Sequence, residues 1–327
     1  MERRFEMQFV FRALTIIPLA PLFLIFGGTT IAWAGPIVWG LHPVSGDIVQ
    51  VDPRTGAVLG AFAAPIKPVQ GDTRAGLSIA DGGRTLLYQL GNSGPGTEEP
   101  GREILYGLDP FTGVIKFQML GLGTSWGPDG ISWQSQDGLT FTFLNHANPI
   151  ADIHRIKNIG TLGEKEIIFW GPTGAPDYNH SVGGLGGDGN GREFGVFVDE
   201  YNLFGGHRFI GEYDPFVNDH NFLNTFIAPA DDLVGLAYDG RFLYASGASG
   251  SLFTLNPNTG AVTNLVQFPK LFFPDGNPAL FQFDIAAAIP EPSTISLLSI
   301  GVIGLGLGLA RRRSKHIGPT ENRPLAN

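Results

Sequence analysis

The run Ile48-Val49-Gln50-Val51-Asp52-Pro53-Arg54-Thr55-Gly56-Ala57-Val58 decides the fold, because the chain repeats it. It returns as Leu105-Tyr106-Gly107-Leu108-Asp109-Pro110-Phe111-Thr112-Gly113-Val114-Ile115, and again as Leu252-Phe253-Thr254-Leu255-Asn256-Pro257-Asn258-Thr259-Gly260-Ala261-Val262. Each copy is an apolar strand, a turn of Asp/Asn-Pro-x-Thr-Gly type and the start of a second strand. The turn chemistry is local. The Asp or Asn oxygen caps the turn, Pro presets φ at the next position, and Gly takes the left-handed conformation before the chain returns. These aspartates are therefore read as hairpin devices rather than as catalytic groups. Degenerate copies lie at Ile153 to Phe169 and at Phe209 to Phe226, where Asp214-Pro215 survives.

A second unit precedes each hairpin: a small or acidic lead-in, a Gly, then an apolar strand. Copies begin at Gly76, Gly130, Gly184 and Gly235, with a looser one at Ala279, at spacings of 54, 54, 51 and 44 residues. Five lead-in strands and five hairpins at a period near fifty predict four-stranded units in a radial array. The chain ends complete the count. The segments Ile37 to Leu41, Asp47 to Val51 and Ala57 to Phe62 lack a lead-in strand, and Ala279 to Ala286 supplies one without a hairpin. Joined, they close the ring and leave only short edges.

This pattern resembles a single all-β propeller of five four-stranded blades, of the kind whose repeats read LY-x-L-D-P-x-T-G. A pair of β-sandwiches or a six-bladed ring with one irregular blade stays open on the same residues.

Outside that domain, both ends carry sorting features. Arg3, Arg4 and Arg12 precede the apolar run Ala13 to Phe26, and Ala32-Trp33-Ala34 offers the small-x-small pattern that signal peptidase cuts. A signal peptide over 1–34 and a mature start at Gly35 are expected. At the other end, Pro290-Glu291-Pro292-Ser293-Thr294 is followed by the apolar segment Ile295 to Ala310 and by Arg311-Arg312-Arg313. The apolar stretch is about the minimum that spans a bilayer core, and the basic cluster holds its end on the cytoplasmic side. Residues 289–315 thus resemble the PEP-CTERM sorting signal of Gram-negative bacteria, which implies processing by the membrane-embedded exosortase. The polar tail, 316–327, is longer than such signals usually carry.

The globular part is 35–288. Its 26 acidic against 13 basic residues give a net charge of −13, which disfavours nucleic acid and anionic lipid as partners. The whole chain has 47 Gly and 24 Pro with 16% charged residues, a balance that fits many turns and few long helices. Zero cysteines exclude disulfides, thiolate metal sites and cysteine nucleophiles.

Candidate chemistry is sparse. His146, His154, His180, His207 and His220 show no His-x-x-x-His or His-Glu helical spacing. Asp72, Asp129, His180, Asp231 and Asp232 hold comparable lead-in positions, where propeller loops meet the central channel. Gathered at its mouth, such a set would suit a hard cation such as Ca²⁺; capping the turn before each inner strand is the alternative role. No other cofactor is expected. Gly186-Gly187-Asp188-Gly189-Asn190-Gly191 lacks the bidentate Glu of an EF-hand and reads as a turn. Trp39, Trp126, Trp133, Trp170 and Tyr178 suit either sugar contact or packing between blades.

The expectation is an exported protein, transiently held in the membrane by its C-terminal helix and then surface-bound or extracellular. Its propeller is expected to be a non-enzymatic binding platform for a polysaccharide or a surface protein, linked to exopolysaccharide or biofilm. The competing reading is a hydrolase or lyase of sugars or lactones with a metal in the central channel.

Overall fold

The computed structural model describes residues 35–68, 75–90, 104–119, 130–134, 138–144, 151–156, 168–170, 181–189, 191–197, 204–214, 222–269, 271–272, 278–279 and 285–288. The expected signal peptide and sorting tail lie outside them. Among the described residues, no helix is long and apolar enough to cross a membrane.

Alternating apolar runs punctuated by Gly turns give antiparallel strands, and these pair locally. One four-stranded sheet joins β1 (Ile37–Leu41), β2 (Asp47–Val51) and β3 (Val58–Ala63) to the last strand, β22 (Ile285–Ala288), in the order β22-β1-β2-β3. The next holds β4 (Ala75–Ala80), β5 (Thr85–Leu90), β6 (Leu105–Leu108) and β7 (Ile115–Met119). A third is built from β8 (Gly130–Gln134), β9 (Gly138–Leu144), β10 (Ala151–Ile156) and β11 (Ile168–Trp170). The fourth contains β12 (Ser181–Gly187), β13 (Glu193–Phe197), β14 (Phe209–Tyr213) and β15 (Asn224–Ile227). A fifth contains β16 (Leu233–Tyr238), β17 (Leu243–Gly247), β18 (Ser251–Leu255) and β19 (Val262–Gln267). A small hairpin, β20 (Leu271–Phe272) with β21 (Pro278–Ala279), stands apart.

The innermost strands touch in series: β4 meets β8, β8 meets β12, β12 meets β16, and β22 touches both β16 and β4. Sheets of four meandering strands, arrayed in this way about their first strands, are the arrangement of a β-propeller.

The chain ends pair as expected in kind but not in place. Trp39 lies opposite Ala286, and Ile37 opposite Ala288. The closing strand is therefore Ile285–Ala288 rather than Ala279–Ala286. Ala279, the expected start, is instead in the small hairpin with Leu271. The sequence interval already hinted at this shift. From Gly235, the strand Ile285–Ala288 lies 50 to 53 residues on, in line with the preceding spacings, whereas Ala279 gives only 44.

The core sits between sheets, and the strand period of two feeds it. On β22, Ala286 and Ala288 join Trp39, Leu77, Tyr88 and Tyr106 in one seam. Ile285 and Ala287 turn the other way, to Val38, Tyr244 and Leu252. On β5, Leu86 serves the first seam and Leu87 the next, with Leu105 and Ile131. Further seams gather Phe194, Ile210, Leu236 and Leu243, and Leu185, Phe197, Phe209 and Tyr213. Each fully buried large side chain contributes about 1.5–3 kcal/mol.

Candidate functional site

The axis is the first place to look, because a propeller's chemistry usually sits where its inner strands converge. Here those strands approach backbone to backbone. A Cβ on Gly130 would lie 2.8 Å from the Leu185 amide nitrogen, and one on Gly184 would lie 2.7 Å from that of Leu236. A Cβ on Gly186 would stand 2.9 Å from the Ala237 carbonyl carbon. Side-chain hydrogen bonding also ties neighbours together, as the Trp133 amide donates to Ser78 Oγ at 3.0 Å. Glycine is needed at these positions because the neighbouring main chain occupies the side-chain space.

Of the five proposed channel ligands, Asp72, Asp129 and His180 lie outside the described residues. Asp231 and Asp232 are adjacent, yet their carboxylates serve different partners. Asp231 Oδ1 accepts the Arg208 amide at 3.2 Å and faces His207 Nδ1 at 3.2 Å. The His207 contact, ahead of the amide, holds the Asp231 carboxyl below the ordinary range. Asp232 Oδ2 accepts the Ser249 amide at 2.7 Å, and its carbonyl accepts the Ala248 amide at 2.8 Å. Asp232 thus caps the β17–β18 turn. Among the described residues, no three His, Asp or Glu side chains gather as metal ligands.

The Asp/Asn-Pro-x-Thr-Gly turns carry a second function that the repeat alone did not announce. Their internal geometry follows expectation. The Asp52, Asp109 and Asn256 carbonyls accept the amides of Gly56, Gly113 and Gly260 at 2.8, 2.9 and 2.9 Å. These glycines have φ of +75°, +73° and +69°. Asp52 Oδ1 accepts the Arg54 amide at 2.9 Å, and Asn256 Oδ1 accepts that of Asn258 at 2.9 Å. Asp109 Oδ1 accepts three donors: the Phe111 and Thr112 amides at 3.1 and 2.9 Å and the Thr112 hydroxyl at 2.9 Å. Each hairpin also has a register shift at the end of its first strand, between Gln50 and Val51, Gly107 and Leu108, and Thr254 and Leu255.

Each turn is then gripped by the preceding sheet. Trp39 Nε1 and Gln50 Nε2 donate to the Pro110 carbonyl at 2.7 and 3.1 Å. Asn264 Nδ2, on β19, donates to the Pro53 carbonyl at 2.8 Å. Asn224 Nδ2, on β15, donates to the Asn258 carbonyl at 3.1 Å. The turn glycines give each clasp its clearance. A Cβ on Gly113, Gly56 or Gly260 would collide with Phe62, Val266 or Phe226, each on the preceding outer strand. Gly is thus demanded twice, by φ and by space.

Arg192 completes the third seam. It pairs with Glu212 through two hydrogen bonds of 2.7 and 3.0 Å, donates to Tyr238 Oη at 3.0 Å, and reaches Asn258 Oδ1 at 3.1 Å. Its carbon stands 5.2 and 5.3 Å from the Phe194 and Tyr238 ring centres. Trp39 is fully buried and edge-on to Phe111 at 6.2 Å, so this tryptophan packs between sheets. Trp126 and Tyr178 lie outside the described residues. The Gly186–Gly191 stretch leads into a turn, where the Asp188 amide donates to the Arg192 carbonyl at 3.4 Å.

No protein-family profile matches the chain. No curated protein matches it either. Among solved structures, a chain of a nidogen/laminin complex aligns with 13% identity and a TM-score of 0.43, over 77% of this chain and 98% of that one. The β-propeller domain of Myceliophteria thermophila Cps50 (Swd1) aligns with 11% identity and a TM-score of 0.38, over 72% and 73%. At such identities and scores, neither relation bears on function.

Proposed function

We propose that the chain is an exported, non-catalytic five-bladed β-propeller that acts as a binding platform at the cell surface or in the extracellular matrix. Each four-stranded sheet is one blade, and β22 closes the ring. What supports the non-catalytic reading is that the repeat's aspartates cap turns: the Asp52 and Asp109 carboxylates accept backbone amides of their own hairpins. A hydrolase or lyase would need such acids free at a channel mouth. Asp231 and Asp232, the two described candidates, are engaged in turn and loop contacts instead.

Export rests on the sequence. The basic, apolar and Ala32-Trp33-Ala34 segments support cleavage by signal peptidase, and Pro290-Glu291-Pro292 with its apolar run and arginines supports handling by exosortase. The acidic, turn-rich domain suits a polysaccharide or a surface protein as partner, in an exopolysaccharide or biofilm setting.

Mass spectrometry of protein recovered from the medium or cell surface should find a start at Gly35 and an end near Pro290 to Pro292. An intact N-terminus on exported protein contradicts the reading. The same material should melt at one temperature with and without a chelator. A melt that rises with added Ca²⁺ would move the assignment to the metal-channel enzyme.

A further inference from the structure

We propose that Asp81, in the turn between β4 and β5, is a site of spontaneous isoaspartate formation. Among the described residues it is the one non-glycine with positive φ, at +54°, and Gly82 follows at +63°. L side chains rarely adopt that backbone region, and Asp tolerates it better than most. Both residues are exposed.

The chemistry needs an Asp side chain followed by an unhindered amide. The Gly82 nitrogen attacks Asp81 Cγ, the carboxyl hydroxyl and the amide proton leave as water, and a five-membered imide closes. Glycine favours this step because no Cβ crowds the attacking nitrogen. Water then opens the ring at either carbonyl. One opening restores aspartate. The other routes the main chain through Cγ, one methylene longer and unchanged in mass. The imide holds its residue near the first central position of a type II′ turn, with φ about +60° and ψ about −120°. Asp81 already has that sign of φ, and II′ is a turn class that hairpins accept.

The fold restrains the other two described Asp-Gly pairs. Asp239 is half-buried; its Oδ1 accepts the Arg241 and Phe242 amides at 2.8 and 2.7 Å, and its Oδ2 accepts the Tyr244 hydroxyl at 2.9 Å. After Asp188, Gly189 is buried, and Asp188 Oδ1 accepts the Arg192 amide at 3.4 Å. Among the described residues the Asp81 carboxylate accepts one hydrogen bond, from Thr85 Oγ1 at 3.0 Å. Freeing Cγ for attack therefore disturbs one bond at Asp81 and three at Asp239. A Cβ on Gly83 would lie 3.8 Å from Ala288 Cβ, so the lengthened turn stands beside β22. This inference rests on the turn geometry and not on export or on the binding-platform reading.

The test ages the full chain in oxygen-18 water near neutral pH and maps its peptides by mass spectrometry, since each imide opening leaves one heavy oxygen. Asp81 should gain label and isoaspartate about 10-fold or more faster than Asp239, which must give up two more hydrogen bonds. In urea the two rates should converge, because both sites are Asp-Gly. Tyr244→Phe should raise conversion at Asp239 and leave Asp81 unchanged. The melting temperature should fall as label accumulates at Asp81. The proposal is overturned if Asp81 converts no faster than Asp239 in the folded chain, or if the difference persists in urea. It is also overturned if Tyr244→Phe folds and leaves Asp239 as slow as before. A melting temperature that stays constant as label accumulates overturns the claim that the longer turn disturbs β22. Should Tyr244→Phe fail to fold, the comparison of folded with urea-unfolded parent decides.

Discussion

Asp52 and Asp109 do the same job as Asn256, so charge is not what the turn requires. The Arg54 guanidinium, ahead of its amide, holds the Asp52 carboxyl below the ordinary range. At Asp109 burial pushes the other way, but hydrogen bonds from Thr112 and Phe111 outweigh it and the carboxyl is again lowered. A depressed folded pKa means stability that is fully present above the unfolded value, near 4, and is lost as pH falls from there through the lower folded value. Asp52→Asn and Asp109→Asn should therefore flatten the acid limb of a melting-temperature profile below about pH 4. An unchanged acid limb in both would show that these caps do not titrate. Replacing Asp52, Asp109 or Asn256 by Ala should cost about 0.5–2 kcal/mol each in thermal melts, more at Asp52 and Asp109, whose carboxylates each accept three hydrogen bonds, than at Asn256. Similar losses at all three would instead mean that the extra bonds to the two carboxylates contribute nothing. Because Asn264 clasps the Asp52 turn through the Pro53 carbonyl, a double mutant of Asp52→Ala with Asn264→Ala should depart from additivity. The His207–Asp231 pair, more than half exposed at both side chains, should contribute little.

Strands were legible in the sequence where chemistry is local. The three Asp/Asn-Pro-x-Thr-Gly runs each form the hairpin that their turn residues dictate, and the lead-in glycines Gly76, Gly130, Gly184 and Gly235 each lie in an inner strand. The clasp of each turn by the sheet before it was not legible. Trp39 and Pro110 are 71 residues apart, and Asn264 and Pro53 211 apart, so no periodicity connects them. The closing strand was misplaced because Ala279 mimics a lead-in, while Ile285–Ala288 has no glycine to mark it. At the inner strands, Gly130→Ala and Gly184→Ala should each cost about 3 kcal/mol or more, since main chain rather than a movable side chain blocks the Cβ. Gly240→Ala, with positive φ but nothing within 4 Å, separates strain from crowding and should cost less, about 1 kcal/mol. Equal losses at all three glycines, measured by chemical denaturation, would remove the crowding argument.

At the scale of the molecule, the first and last described strands pair, β1 with β22. β22 contributes Ala286 and Ala288 to one seam and Ile285 and Ala287 to the next, and touches both β4 and β16. Without it, the Trp39 seam and the seam that holds Tyr244 and Leu252 both open to water. The direct measurement compares the thermal unfolding of Gly35–Glu291 with that of the same chain lacking Ile285–Ala288. Ring closure predicts loss of the single cooperative transition, or a melting temperature at least ~10 °C lower, because two seams are lost together. A shortened chain that melts cooperatively within ~2 °C of the parent, as a trimmed frayed end would, contradicts it.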